Sequence, residues 1–202
     1  MNPNIPPSTV LDFWFGTDPD DAATARAQRA LWWSKNPAVD AEIRRRFAAP
    51  VQAAGFGKHD DWAANPRGRL ALIVLFDQFP RNMHRGSARA FAWDGLARRL
   101  ALDGIAAGAD RQLRPIERIF CYLPLEHSEN LAHQDRCVAL YQVLAASVAP
   151  ALRDTFAGYV DFAERHRAII RRFGRFPHRN AVLGRASTAE ELEFLGQPGS
   201  SF

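Results

Sequence analysis

The sequence predicts an all-α protein. Apolar residues recur at helical spacing along most of the chain, and no stretch alternates with the period of two that a strand requires. Ser, Asp and Asn residues, several followed directly by Pro, precede the periodic runs and read as helix caps. The expected arrangement is an array of antiparallel helical hairpins with short loops, about nine or ten helices, in a single domain spanning 1–202.

The elements follow in order. Ser8 caps a short helix over 9–15, which Gly16 ends. Asp21 precedes a helix over 22–33 rich in Ala, Arg and Gln. Asn36-Pro37 opens a helix over 38–54 that Pro50 is expected to kink or split. Asn65 caps a helix begun by Pro66 and running to about Phe79, with Asp77 at its end. Ser87 caps the next, to about Ala107, where Gly108 terminates it. Pro115 opens a helix to about Tyr122, and another follows from about Ser128 to Ala146. The longest covers 151–173, closed by Gly174. Ser187-Thr188-Ala-Glu-Glu is a capping-box signature for a last short helix. No strong 34-residue self-similarity marks a tandem repeat array.

Composition narrows the function classes. A chain of 202 residues, 47% hydrophobic and 24% charged, is ordinary for a globular protein. It buries enough surface to fold without disulfides or metal. The longest apolar run, 70–76, is bounded by Arg69 and Asp77 and falls far short of the ~20 residues of a membrane helix. The first residues lack the basic start of a secretory signal, so a cytoplasmic location and no membrane partner are expected. Basic residues number 26 and acidic 22, and a net charge of +4 is too small to imply nucleic acid. Only Lys35 and Lys58 are lysines; the remaining basic residues are arginines, whose planar fork suits carboxylates and phosphates. Cys121 and Cys137 stand sixteen positions apart in apolar helical surroundings. They form no CxxC motif and no metal-ligand spacing, so two free buried thiols and no metal site are expected.

Polar residues on inward faces mark the candidate site. In the longest helix Leu152, Phe156, Tyr159, Ala163, His166, Ile170 and Phe173 form one stripe, with His166 at its middle. A histidine there needs a hydrogen-bond partner, either a structural carbonyl or a site group. In the preceding helix Cys137, Leu140, Tyr141 and Leu144 define an apolar face. Continued backwards, it reaches His133, Asn130 and Glu129, and Glu126 if the helical phase persists through Ser128. Carboxylates and imidazoles at these spacings can hold a metal or do acid–base work, but more often form surface or structural pairs. Asp77 follows a run that is apolar on every face, so its carboxylate must be paired or its pKa must rise. Arg81, one turn on, is the near partner for a structural clamp. Finally, 165–185 holds seven arginines together with His166 and His178, interleaved with aromatics. Phe79-Pro-Arg-Asn82 and Phe176-Pro-His-Arg-Asn180 resemble each other, and each follows an apolar helix.

At these residues the chain resembles the bacterial family known as domain of unknown function 924. The matching segments are Val10-Leu-Asp-Phe-Trp-Phe-Gly16, the stretch from Gly68 to Asn82 and Tyr122-Leu-Pro-Leu-Glu-His-Ser-Glu129. Arg172-Phe-Gly-Arg-Phe-Pro-His-Arg-Asn180 and Leu183-Gly-Arg185 complete them. The resemblance covers roughly 9–196 and implies a tetratricopeptide-like arrangement of helical hairpins. It implies no activity and no cofactor.

Two functional readings follow. In the first, an arginine-rich polar cleft binds a small anionic molecule or a peptide carboxylate. Arg81, Arg172, Arg175 and Arg179 donate, with Asn82, His133, His178 and Asn180 beside them. In the second, the same cleft is that of a small hydrolase-like enzyme, with or without a metal, using Asp77, Glu126, His127, Glu129, His133 and His166 as base, acid or ligands. No nucleophile motif or nucleotide loop supports it. A third reading, RNA binding by the Arg-aromatic segment, ranks below both because acids are spread throughout. Trp and Arg in the first three helices also suit an oligomer contact.

Overall fold

The computed structural model describes residues 3–201, and among them the fold is all-α with no strand. The helices are α1 (Pro7–Phe15), α2 (Asp21–Trp33), α3 (Pro37–Gly55), α4 (Pro66–Ile73) and α5 (Phe79–Met83). They continue with α6 (Asp94–Ala106), α7 (Pro115–Glu126), α8 (Leu131–Ser147), α9 (Arg153–Phe173) and α10 (Ala189–Leu195). Short 3₁₀ turns join several of them. Neighbours in sequence pack on one another: α7 on α8, and α8 along the length of α9. None of the helices is long and apolar enough to cross a membrane.

Caps explain most of the boundaries. The Asn65 side chain accepts from the Gly68 N–H at 2.7 Å, and Asn36 accepts from Ala38 and Val39. Thr188 and Glu191 form the expected reciprocal capping box. Gly174 takes φ +70° and closes α9, a conformation that only glycine adopts without strain. Several boundaries differ from the sequence expectation. Asp20, not Asp21, caps α2, and Asn130, not Ser128, caps α8. Ser87 caps only a 3₁₀ turn (Ala88–Phe91), and α6 begins afresh at Asp94. Pro50 does not split α3, and α7 runs through Pro124 to Glu126, because one missing N–H per helix is tolerated where the flanking turns are packed.

The largest departure lies at the centre. The helix begun at Pro66 does not end at Asp77. It widens into a π-turn (Val74–Gln78), in which the Phe79 N–H reaches back five residues to the Val74 carbonyl, and then continues as α5. Pro80 is the cause: it lacks an N–H, and in regular α-geometry its ring would strike the Phe76 carbonyl. The widened turn relieves that clash and swings Asp77 and Gln78 into the interior.

This rod is the axis of the main core. Residues 70–77 and Phe79 are all buried. Val10, Leu11, Trp14 and Phe15 of α1 cover it, and Trp14 meets both Phe79 and Phe120 edge-on. Gly68 allows the rod to pass the Trp62 backbone, since a Cβ there would lie 2.3 Å from the Trp62 carbonyl oxygen. Ile169, Ile170 and Phe176, backed by Phe173 and Phe194, form a second small apolar cluster where α9 meets the C-terminal segment.

Candidate functional site

The π-turn and the C-terminal end of α7 bring Asp77 and His127 together across fifty positions of sequence. His127 Nδ1 lies 2.8 Å and 3.0 Å from the two Asp77 oxygens. The carboxylate is fully buried and is held from two further directions. Gln78 Nε2 donates to Oδ2 at 2.6 Å, and Arg81 Nη1 stands 3.4 Å from Oδ1 while donating to the Asp77 carbonyl at 2.7 Å. Burial would raise the Asp77 pKa, but Arg81, His127 and the hydrogen bonds outweigh it and hold the group at about 2. Asp77 is therefore ionised and acts as an acceptor.

The His127 backbone is fixed as well. Its N–H donates to the Leu123 carbonyl, and its carbonyl accepts from Arg179 Nη1 at 3.0 Å. Burial and the nearby Arg81 charge push the imidazole pKa below its usual value, against the pull of Asp77. The neutral ring places its proton on Nδ1, donated to Asp77. Nε2 forms no hydrogen bond among the described residues, and the side chain is 15% exposed.

Two arginines stand beside this pair. Arg81 grips Asp94 with two bonds, at 2.9 and 3.1 Å. Arg179 lies over Phe91 and Phe176, with its guanidinium carbon 4.8 and 4.3 Å from the ring centres, and 3.9 Å from Asp94. Burial, with Arg81 adding repulsion, lowers the Arg179 pKa to about 10. The charges of Asp77 and Asp94 balance those of Arg81 and Arg179.

A second carboxylate–imidazole pair lies behind the first. His166 Nδ1 donates to the Phe162 carbonyl at 2.9 Å, one turn back in its own helix, with Glu126 Oε1 3.3 Å away. The structural carbonyl partner expected for a core histidine is thus present. The His127 and His166 rings are 6.3 Å apart, and Phe176 meets His166 edge-on. Burial, helped by the Asp77 charge, pushes Glu126 up to about 8, so it is protonated at neutral pH. Burial drives His166 well below the usual histidine range.

The other predicted residues lie elsewhere or are bound up with internal partners. Glu129 is on the α7–α8 connection, where it takes two bonds from Arg185 and one from the Phe176 N–H. The helical phase does not persist through Ser128, so Glu126 and His133 do not share one face; His133 pairs with the Ser128 hydroxyl at 2.9 Å. Asn82 turns away to Asp40. Arg172 pairs with Glu190, and Arg175 with Glu191 through two bonds. Asn180 donates to Ser187 and Glu191. The His178 ring lies tilted 5.6 Å from that of Phe176, and burial with the Arg179 charge lowers it to about 4. Arg172, Arg175 and Asn180 therefore form a clamp around α10 rather than one cleft with Asp77. Arg167 and Arg171 face Asp135, and Arg165 faces Asp161, so the basic run carries its own counter-charges. Cys121 and Cys137 are buried free thiols, and burial pushes Cys121 to about 12. Among the described residues no cluster of His, Cys, Asp or Glu has the arrangement of a metal site.

The sequence reading missed Asp94, Gln78 and Phe91. Asp94 opens α6 and looks like any acidic first-turn residue. Gln78 carries no signal until the π-turn brings it beside Asp77.

Comparison with known proteins agrees with this architecture. A solved structure of a protein of unknown function from Agrobacterium tumefaciens is similar, with a TM-score of 0.79 and 37% identity over 94% of this chain and 96% of that one. No curated protein matches the sequence. The family model described as bacterial protein of unknown function (DUF924) matches residues 10–199. The chain belongs to the DUF924 family.

Proposed function

We propose that the chain is a proton-transfer enzyme in which His127, oriented by Asp77, is the general base. The Asp77–His127 pair carries this reading: a buried carboxylate fixes the Nδ1–H tautomer and leaves the Nε2 lone pair for a substrate proton. Burial and Arg81 keep the ring neutral near pH 7, the form a base requires. Asp77 is the positioning residue, and Gln78 and Arg81 position Asp77 in turn. Arg81 and Arg179 stand where negative charge developing on a substrate would be stabilised. The charges around the pair cancel, so the substrate is a small polar molecule rather than a strongly charged one. With water as the nucleophile the reaction is a hydrolysis.

The test is modification by diethyl pyrocarbonate, which acylates neutral imidazoles, read site by site by mass spectrometry. His127 is expected to react at Nε2 ahead of His166, and Asp77→Asn to slow it several-fold. A His127 that stays unmodified in the folded protein overturns the reading.

A second reading, binding of a small anion or a peptide carboxylate, has one observation in its favour. The Nε of Arg179 is buried with no acceptor among the described residues. Against it, Arg172, Arg175 and Arg185 are each paired with an internal glutamate. Titration with inorganic phosphate, followed by NMR of the arginine Nε–H signals, separates the two: a saturable Arg179 shift favours the anion.

A further inference from the structure

A small cleft has Glu126 among its lining residues, together with Trp33, Ile119, Leu123, Tyr141, Tyr159 and Phe162. Its closed end has room for about one water-sized group. Trp33, 45% exposed, is the lining residue that reaches solvent most. Ring contacts hold the walls together: Trp33 stacks on Phe120 at 5.8 Å and lies 5.9 Å from Tyr159.

We infer that this cleft binds the ammonium head of a small primary amine, with Glu126 as its counter-ion and Trp33, Tyr159 and Phe162 as aromatic walls. Size, walls and the acid agree. An ammonium group is about as large as a water molecule, and aromatic walls favour a cation that has left water. The lining is otherwise apolar, so an alkyl chain behind the head passes out along Trp33. Tyr141 donates its own proton to the Ile119 carbonyl at 2.9 Å, which leaves its oxygen free to accept from protonated Glu126 in the empty cleft.

Binding is coupled to a proton. Near pH 7 the amine is charged and Glu126 is neutral, so the ammonium enters, Glu126 loses its proton to solvent, and the cleft's charge does not change. The groups facing Glu126 are Asp77 from the π-turn, Tyr141 and Cys137 from α8, and His166 from α9; Arg165 of α9 lies over Phe162, paired with Asp161. Asp77 stays ionised and His166 neutral throughout, which assigns the released proton to Glu126. This inference does not depend on His127 acting as a base.

The test uses the full chain and n-propylammonium chloride as the probe. Calorimetry at pH 7, in two buffers of different ionisation heat, is expected to give one saturable site and release of nearly one proton, with a change in Trp fluorescence. Glu126→Gln, which mimics the neutral acid and keeps the fold, weakens binding by about tenfold or more. Trp33→Ala, at a half-exposed position, weakens it several-fold while Glu126 remains. 1-Propanol, equal in length and uncharged, does not compete. No saturable binding by about 50 mM propylammonium, equal binding to folded Glu126→Gln, or equal binding of 1-propanol each overturns the inference.

Discussion

Asp77 and Glu191 are both held at about 2, and both have arginine partners, yet they end in different chemistry. Glu191 spends both oxygens on neighbours: Arg175 takes both, and the Thr188 N–H and Asn180 share one of them. That network closes on itself and ties α10 to the end of α9. Asp77 accepts from an imidazole whose second nitrogen has no partner among the described residues. A shifted carboxylate is thus no sign of a site by itself. The open valence at the end of its hydrogen-bond chain makes the difference.

The comparison breaks most visibly if the two carboxylates are removed. Asp77→Ala takes the buried carboxylate away from the partly buried Arg81 and His127 and is expected to cost about 3 kcal/mol in chemical denaturation. Asp77→Asn keeps the shape and costs less, so a pair of variants equal in stability would show that Asp77 is not holding the cluster.

The next effect is on pH. Glu126 titrates near 8 in the folded chain and near 4.5 unfolded, so between those values the folded state holds the extra proton. Stability from this group falls as pH rises through that window, at up to about 1.4 kcal/mol per unit. Glu126→Gln removes the slope, and its advantage over wild type should widen from pH 5 to pH 8. His127 and His166 have lowered values, so they withdraw stability in the opposite direction, as pH falls below about 6.5. Subtracting the variant's curve isolates Glu126.

The clamp around α10 gives smaller numbers. Thr188→Ala removes a cap and is expected to cost about 1 kcal/mol. Arg172→Ala breaks a half-exposed pair with Glu190 and is expected to cost below about 1 kcal/mol, shrinking with added salt. If Arg172→Ala proved as damaging as Asp77→Ala, the α10 clamp and the Asp77 cluster would not differ in this way.

What was legible in the sequence follows the same division. Helix class, caps such as Asn36 and Asn65, and the inward stripe carrying His166 are local patterns, readable within a few turns. The π-turn was not, because apolar residues on every face of 70–76 give no phase to follow; Pro80 was its one local signal. The Asp77–Arg81 proximity is one helical turn and was readable, whereas Asp77–His127 spans fifty positions. In the sequence Arg172 and Arg175 look free to line a cleft, because their partners, Glu190 and Glu191, carry only the pattern of a helix start. Charge pairing between distant elements leaves no periodicity in either one.

The most direct test of the central claim is the protonation state of His127, read from its ring nitrogens by NMR across pH 4–9. The expected result is a neutral Nδ1–H tautomer at pH 7, a pKa below that of free histidine, and loss of the tautomer preference in Asp77→Asn. An Nε2–H tautomer, or a ring still charged at pH 7, would contradict it.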